Sequence, residues 1–279
     1  MQTNNDIKFS VLIPVYAKEN VSNFKKAVES IKQQSLLPNE ILIIEDGILG
    51  NELENVVLSI EKDFPDITRV IRLKENIGIA KVRALGVNEC KYEWLAFMDS
   101  DDVSVKDRFE KQIAYLKEHP NIDMLGAQTP YFIETPDNVC FSRIMPEKHE
   151  DIYNFGKFRM PVNTVTLIFK KQKAIECGNF TIDIGFEDYE FVGKFLKAGN
   201  IVVNMPDNLV YVRTGSEMMS RRKGLKYFGY EYACMKSFLD IGYINFYQFC
   251  RNLALKFPLR VMPDWMRDLI YKKFLRKEL

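Results

Sequence analysis

Apolar residues fall along this chain in short unbroken runs, separated by stretches where they recur at helical spacing. Phe9 to Tyr16 is the first run, and Pro14 near its end has no donor to offer a ladder. Glu40 to Asp46 is the second; it ends in acid and meets Gly47. Thr68 to Leu73 is the third. The fourth, from Trp94 to Met98, runs straight into Asp99, Asp101 and Asp102. Runs this short read as buried strands. Between them, Phe24, Ala27, Val28 and Ile31 share a helical face behind a cap at Ser22. Leu53, Val56, Val57 and Ile60 share another between Asn51 and Lys62. Asn76 to Arg83 opens a third helix, and Val105 to Leu116 forms a fourth. This alternation with short connections predicts an α/β fold, a mostly parallel sheet with helices on both faces and right-handed crossovers.

The second half loses the simple alternation. Ile122 to Ala127 and Val165 to Phe169 read as strands, as do Asn200 to Asn204 and Leu209 to Arg213. Pro130, Pro136 and Pro146 mark residues 129–150 as an irregular, partly extended excursion. Gly185 to Val192 enters a helix with Glu187 and Asp188 in its first turn. Gly215 to Gly224 is a polar loop holding Arg221, Arg222 and Lys223. From Leu225 the pattern is helical and aromatic. Two segments follow: a domain over residues 1–224, and a helical, basic-aromatic extension over 225–279.

Composition narrows the class. A net charge of +1 argues against a nucleic-acid partner. Cys90, Cys140, Cys177, Cys234 and Cys250 have no metal or redox spacing and read as reduced core thiols of a cytosolic protein. Met1 is followed by polar residues, which is no signal peptide, and no apolar run reaches the ~20 residues of a membrane span. Between Arg251 and Leu279 there are eight Lys or Arg against three Asp or Glu, interleaved with aromatic residues. Such a segment suits either the interface of an anionic membrane or a terminal helix with a solvated basic face.

The candidate chemistry lies where strands end in acid. Unpaired carboxylates cannot follow a strand into the core, so they sit in water or around a cation. Asp99, Asp101 and Asp102 can be a turn that caps the next helix. They can also face one hard divalent ion whose remaining positions a diphosphate fills. A calcium loop is excluded, since Val103 and Ser104 stand where it needs an oxygen ligand and a glycine. Asp46 ends a second strand at the same sheet edge, where open α/β sheets bind ligands. Asp188 has a plain reading too, as an acid favoured by a helix N-terminus.

Taken in order, several motifs resemble those of the family 2 glycosyltransferases of the GT-A fold, over about residues 8–225. They are Ser10 to Tyr16, Ile44 to Gly47, Asn76 to Gly78 with Arg83 and Gly86, Asp99 to Asp102, and Phe186 to Asp188. The nearest likeness is to bacterial enzymes of exopolysaccharide and O-antigen synthesis. The resemblance implies a GT-A type mixed, mostly parallel sheet and roles for particular residues. Pro14, Val15, Tyr16 and Glu19 would line the uracil and ribose pocket. Asp46 would accept from the base, and Arg83 and Gly78 would belong to the same nucleotide-sugar site. Asp99 would bind the ribose or the metal's outer shell. Asp101 would ligate Mn2+ or Mg2+, and Asp188 would be the general base. Arg221 would close over the diphosphate.

The implied activity is inverting transfer of a hexose from a UDP-sugar. The implied acceptor is a saccharide on undecaprenyl diphosphate, reached by a cytoplasmic enzyme peripheral at the inner face of the plasma membrane. Two departures bear on this. Ala84 stands where the family often has Asn after the arginine, and no histidine follows Arg213 to complete a metal shell. The rivals are a nucleotidyltransferase, disfavoured because Pro14 to Glu19 contains no glycine, and a non-catalytic nucleotide-sugar-binding protein of an assembly complex.

Overall fold

β1 (Phe9–Tyr16) runs through the middle of the sheet, and its burial explains its composition: every residue but Tyr16 is buried. The computed structural model of the chain describes residues 6–181, 185–215 and 224–262. After β1 come α1 (Val21–Lys32), β2 (Glu40–Asp46), α2 (Asn51–Asp63) and β3 (Thr68–Arg72). Then follow α3 (Ile79–Glu89) and β4 (Trp94–Phe97). β1 pairs in parallel with both β2 and β4, and β2 with β3. The order β3-β2-β1-β4 therefore reverses its direction of growth at β1. A crevice opens at such a reversal, beyond the carboxyl ends of the strands.

Alternation along β1 decides what packs on each face. Phe9, Val11, Ile13 and Val15 join Phe24 of α1 and Leu53 of α2 in one core. Leu12 faces the other way, into a core with Val82 and Val87 of α3. A side chain at Gly86 would collide with Leu12, so α3 lies close against β1 there.

The remaining strands make the sheet mixed. They are β5 (Val103–Ser104), β6 (Met124–Phe132), β7 (Val139–Arg143), β8 (Ile168–Lys170), β9 (Val202–Asn208) and β10 (Val210–Arg213). β8 runs antiparallel between β4 and β6, while β9 and β10 run parallel to β6. α4 (Arg108–Glu118), α5 (His149–Gly156) and α6 (Lys171–Glu176) flank these strands. α7 (Glu187–Lys197) sends Phe191, Val192, Phe195 and Leu196 into the core that holds Leu12. α8 (Gly224–Asp240) and α9 (Phe246–Val261) form a helical hairpin. Cys234, Met235 and Phe238 of α8 enter that same core, with Phe238 against Gly193 of α7. Arg260 of α9 grips Glu231 of α8 with two hydrogen bonds of 2.7 and 2.8 Å.

Several expectations need correcting. Asn20, not Ser22, caps α1, accepting from Asn23 N at 3.1 Å. β6 continues through Pro130 to Phe132 and pairs with β7, so much of 129–150 is a hairpin. One proline removes only one donor, and a strand buried over most of its length tolerates that. Val165 does not begin a strand: Thr164–Thr166 is a 3-10 turn, and β8 starts at Ile168. The Thr166 hydroxyl donates to Asn163 O at 2.7 Å and closes that turn. α4 begins at Arg108 rather than Val105, because Val103 and Ser104 pair with β10. Two of the five cysteines are buried, Cys90 and Cys234, whereas Cys140 and Cys250 are exposed.

Candidate active site

The crevice at the reversal is a cavity of about 420 Å³. Each wall comes from the end of a strand or the start of a helix. The end of β1 supplies Pro14, Val15 and Tyr16, with Glu19 just beyond. The end of β2 supplies Asp46, and the start of α3 supplies Gly78, Ile79, Val82 and Arg83. The turn after β4 supplies Asp99, Ser100 and Asp101. Nine of the residues singled out from the sequence thus meet at one place: Pro14, Val15, Tyr16, Glu19, Asp46, Gly78, Arg83, Asp99 and Asp101.

Asp46 organises the far wall. Its carboxylate accepts from Ile77 N at 2.6 Å, Asn76 Nδ2 at 2.9 Å and Gly78 N at 3.2 Å. Three donors therefore hold the loop that leads into α3. Gly47 at φ +91° and Gly78 at φ +90° lie in the left-handed region, where a glycine costs least. Asn76 was visible only as part of a motif; its contact with Asp46 gives it a purpose.

The acidic turn is held from several sides. Met98 N donates to Leu12 O at 3.0 Å, which carries the β1 pairing one residue past β4. Ser100 Oγ donates to Glu19 Oε2 at 2.6 Å. Asp102 is buried and accepts from Arg213 N at 2.8 Å, so it serves the turn rather than the cavity. Arg213 Nε donates to the Asp101 carbonyl at 3.1 Å, and its guanidinium lies 4.6 Å from the Phe132 ring centre.

Arg83 is 5 % exposed and joins the two halves of the site. Its Nη2 donates to Asp99 Oδ1 at 3.0 Å, and its Nη1 donates to Asp188 Oδ1. Glu187 Oε1 lies 3.6 Å from Nη1. Burial works against the charge on Arg83, but the Asp188, Asp99 and Glu187 carboxylates outweigh it and push its pKa up. Asp188, in the first turn of α7, does not line the cavity itself and meets it through Arg83. Burial raises its pKa, with Arg83 opposing. Burial and the Asp188 charge push Glu187 up to about 6.

The donor set suits a hard divalent cation. Burial, and then repulsion from Asp99 and Glu19, pushes Asp101 up to about 6, so its charge lacks a partner that a cation would supply. Among the described residues no three His, Cys, Asp or Glu side chains close a metal shell by themselves. An ion here would take one or two carboxylates and fill its other positions with phosphate and water, as Mg2+ does readily. Neither histidine helps. His119 stacks on Tyr115, and His149 takes a hydrogen bond from Val202 N. Arg221, expected at the diphosphate, lies outside the described residues.

Comparison with known proteins bears on what this site does. Residues 10–178 match the family model described as "Glycosyl transferase family 2". The amylovoran biosynthesis glycosyltransferase AmsE of Erwinia amylovora is 31 % identical over 95 % of this chain and 98 % of its own. The UDP-Gal:alpha-D-GlcNAc-diphosphoundecaprenol beta-1,3-galactosyltransferase of Escherichia coli is 29 % identical over 98 % of both chains. Among solved structures, residues 1–349 of S. aureus TarS in complex with UDP-GlcNAc superpose with a TM-score of 0.64 at 19 % identity, over 96 % of this chain and 76 % of that one. The mannosyltransferase PcManGT of Pyrobaculum calidifontis, in complex with GDP-Man and Mn2+, gives 0.57 at 14 % identity, over 95 % and 79 %. These likenesses establish a GT-A-like fold. With the family model covering more than half of the sequence and a relative above 30 % identity along nearly all of it, the chain belongs to the family 2 glycosyltransferases.

Proposed function

We propose that this glycosyltransferase moves a hexose, with inversion, from a UDP-sugar to a saccharide acceptor carried on a lipid diphosphate. Its place would be in the assembly of a surface polysaccharide, which the names of the E. amylovora and E. coli relatives support. The observation that carries the reading is the placement of Asp99 and Asp101 on one side of Arg83 and Asp188 on the other.

The chemistry needs both sides. As the anomeric C–O bond breaks, negative charge grows on the departing UDP. Mn2+ or Mg2+ held at Asp101, with Asp99 beside it, would neutralise that charge. Arg83 fixes Asp99 and Asp188 in a common frame, so donor and acceptor carboxylates cannot drift apart. The acceptor hydroxyl attacks the anomeric carbon from the side opposite UDP, and its proton passes to an Asp188 carboxylate oxygen. Back-side attack turns an α-linked donor into a β-linked product. Asp46 keeps one lone pair of Oδ1 for the uracil N–H, after its three contacts within the protein.

The lipid carrier requires approach to a membrane surface, and we place the enzyme at the cytoplasmic face. Among the described residues no helix is long and apolar enough to cross a membrane. α9 instead exposes Phe246, Tyr247, Leu255, Phe257 and Val261. An exposed aromatic and aliphatic face of that kind suits the headgroup boundary, with 1–224 as the catalytic part and 225–279 as the anchoring part. The test is UDP release from a panel of UDP-sugars, with Mn2+ and a GlcNAc-diphosphate-lipid acceptor. Acceptor-dependent release from one sugar supports the reading. Release from none, in the presence of bound UDP, would leave a nucleotide-sugar-binding protein.

A further inference from the structure

We infer that Arg108 is a positioning residue for the acidic turn: its buried guanidinium ties together the two ends of the segment that carries Asp99 and Asp101. The inference deepens the reading above, in which Asp101, with Asp99 beside it, holds the divalent ion, and it rests on that reading.

Arg108 opens α4 and is 0 % exposed. Its Nη2 donates to Phe97 O at 2.8 Å, and its Nη1 donates to Ser104 Oγ at 3.0 Å. Phe97 ends β4 and Ser104 ends β5, and the acidic turn lies between them. One planar group therefore spans the base of that turn. The guanidinium is itself anchored. Nη2 also donates to Val165 O at 3.0 Å, and Nε donates to Gln112 Oε1 at 3.2 Å. Gln112 Nε2 donates in turn to Thr166 O at 2.8 Å, so the 3-10 turn backs the guanidinium at two points.

None of these acceptors is a carboxylate. A cation buried among neutral groups is costly, and burial pushes this one down to about 9, with Asp99 and Asp102 opposing. An apolar side chain of similar volume would pack there at less cost, so filling space does not account for an arginine. The turn supplies a reason. Asp99, Asp101 and Asp102 stand within four positions, and like charges so close repel one another. Without an ion between them, that repulsion favours a splayed turn. A guanidinium bound at both ends resists the splaying and brings a positive charge behind the acids. Its fork reaches Phe97 O and Ser104 Oγ with separate nitrogens, whereas a lysine has one nitrogen for both ends.

The test is calorimetric titration of Mn2+ into the full chain saturated with UDP. UDP binding without metal and Tm are measured on the same preparations. Arg108→Lys should weaken Mn2+ binding roughly tenfold, the loss seen when the support behind a metal ligand is removed. Its metal-free UDP affinity should stay within about twofold. Ser104→Ala keeps the charge and removes one contact, and should weaken Mn2+ about threefold. A merely structural role would lower Tm and leave the Mn2+ affinity of the folded chain unchanged. Unchanged Mn2+ affinity in Arg108→Lys overturns the inference; if that chain does not fold, unchanged affinity in Ser104→Ala overturns it. An equal loss in metal-free UDP binding, which marks a general loosening of the site, overturns it too. A parent chain that binds no Mn2+ with UDP present would instead overturn the assignment of the ion to Asp101, which sets the two failures apart.

Discussion

Arg83 and Asp188 lie 105 positions apart in the sequence and form a direct ion pair where the two halves of the site meet. The same guanidinium holds Asp99, so one buried cation faces the carboxylates of Asp99, Glu187 and Asp188. Its planar fork reaches two of them at once, which an ammonium cannot do.

Arg83→Lys should therefore keep the fold but lower kcat/KM about 10²-fold, as both carboxylates lose their fixed spacing. Arg83→Met should cost more in stability than in fold identity. Removing one partner of a buried pair is worth about 3–5 kcal/mol, which urea denaturation followed by circular dichroism would read.

Asp188→Asn removes the proton acceptor but preserves shape. UDP affinity should stay within about twofold, and kcat should fall at least about 10²-fold. Calorimetry and a UDP-release assay, run on the same preparation, check both halves of the statement.

Asp101 gives a pH signature. Its carboxyl is held near 6 by burial and by Asp99 and Glu19, and a metal ligand must be ionised. Binding of UDP with Mn2+ should therefore release about half a proton near pH 6 and almost none at pH 8. Calorimetry in two buffers of different ionisation enthalpy measures the release. Proton uptake at pH 6 would contradict the assignment of Asp101.

Glu45 offers a test of stability away from the chemistry. Burial, and then Glu54, pushes its carboxyl up to about 7, although Arg72 Nε lies 3.3 Å away. A carboxyl whose proton is held more tightly in the folded chain stabilises it only while protonated. That contribution is complete below the ordinary value of 4.5 and is lost as pH rises through about 7. Glu45→Gln should gain Tm relative to the parent between pH 6 and pH 8.5. A constant difference across that range would contradict the shift.

Much of the donor side was legible in the sequence, for a physical reason. Asp46 and Asp99 to Asp102 follow apolar runs, and a charge at the end of a buried strand has few places to go. The link between Asp188 and Arg83 was not legible, since nothing local to either residue names the other. The contacts of the buried Arg108 were not legible for a related reason. Arg108 reads backbone carbonyls at Phe97 and Val165, and every residue has a carbonyl. The course of β6 through Pro130 was hidden because a strand's neighbours, not its composition, decide whether one missing donor matters. Asp102 looked like its neighbours, but only its burial against Arg213 separates it from the cavity.

The account rests on UDP and a divalent ion occupying the crevice between Asp46 and Asp101, within reach of Asp188. A crystal soaked with UDP and Mn2+, with the ion located by its anomalous signal, measures this directly. The prediction is uracil beside Tyr16 and Asp46, and manganese bound to Asp101 and the diphosphate. Nucleotide bound elsewhere, or a diphosphate in this crevice with the ion nowhere near Asp101, would contradict it.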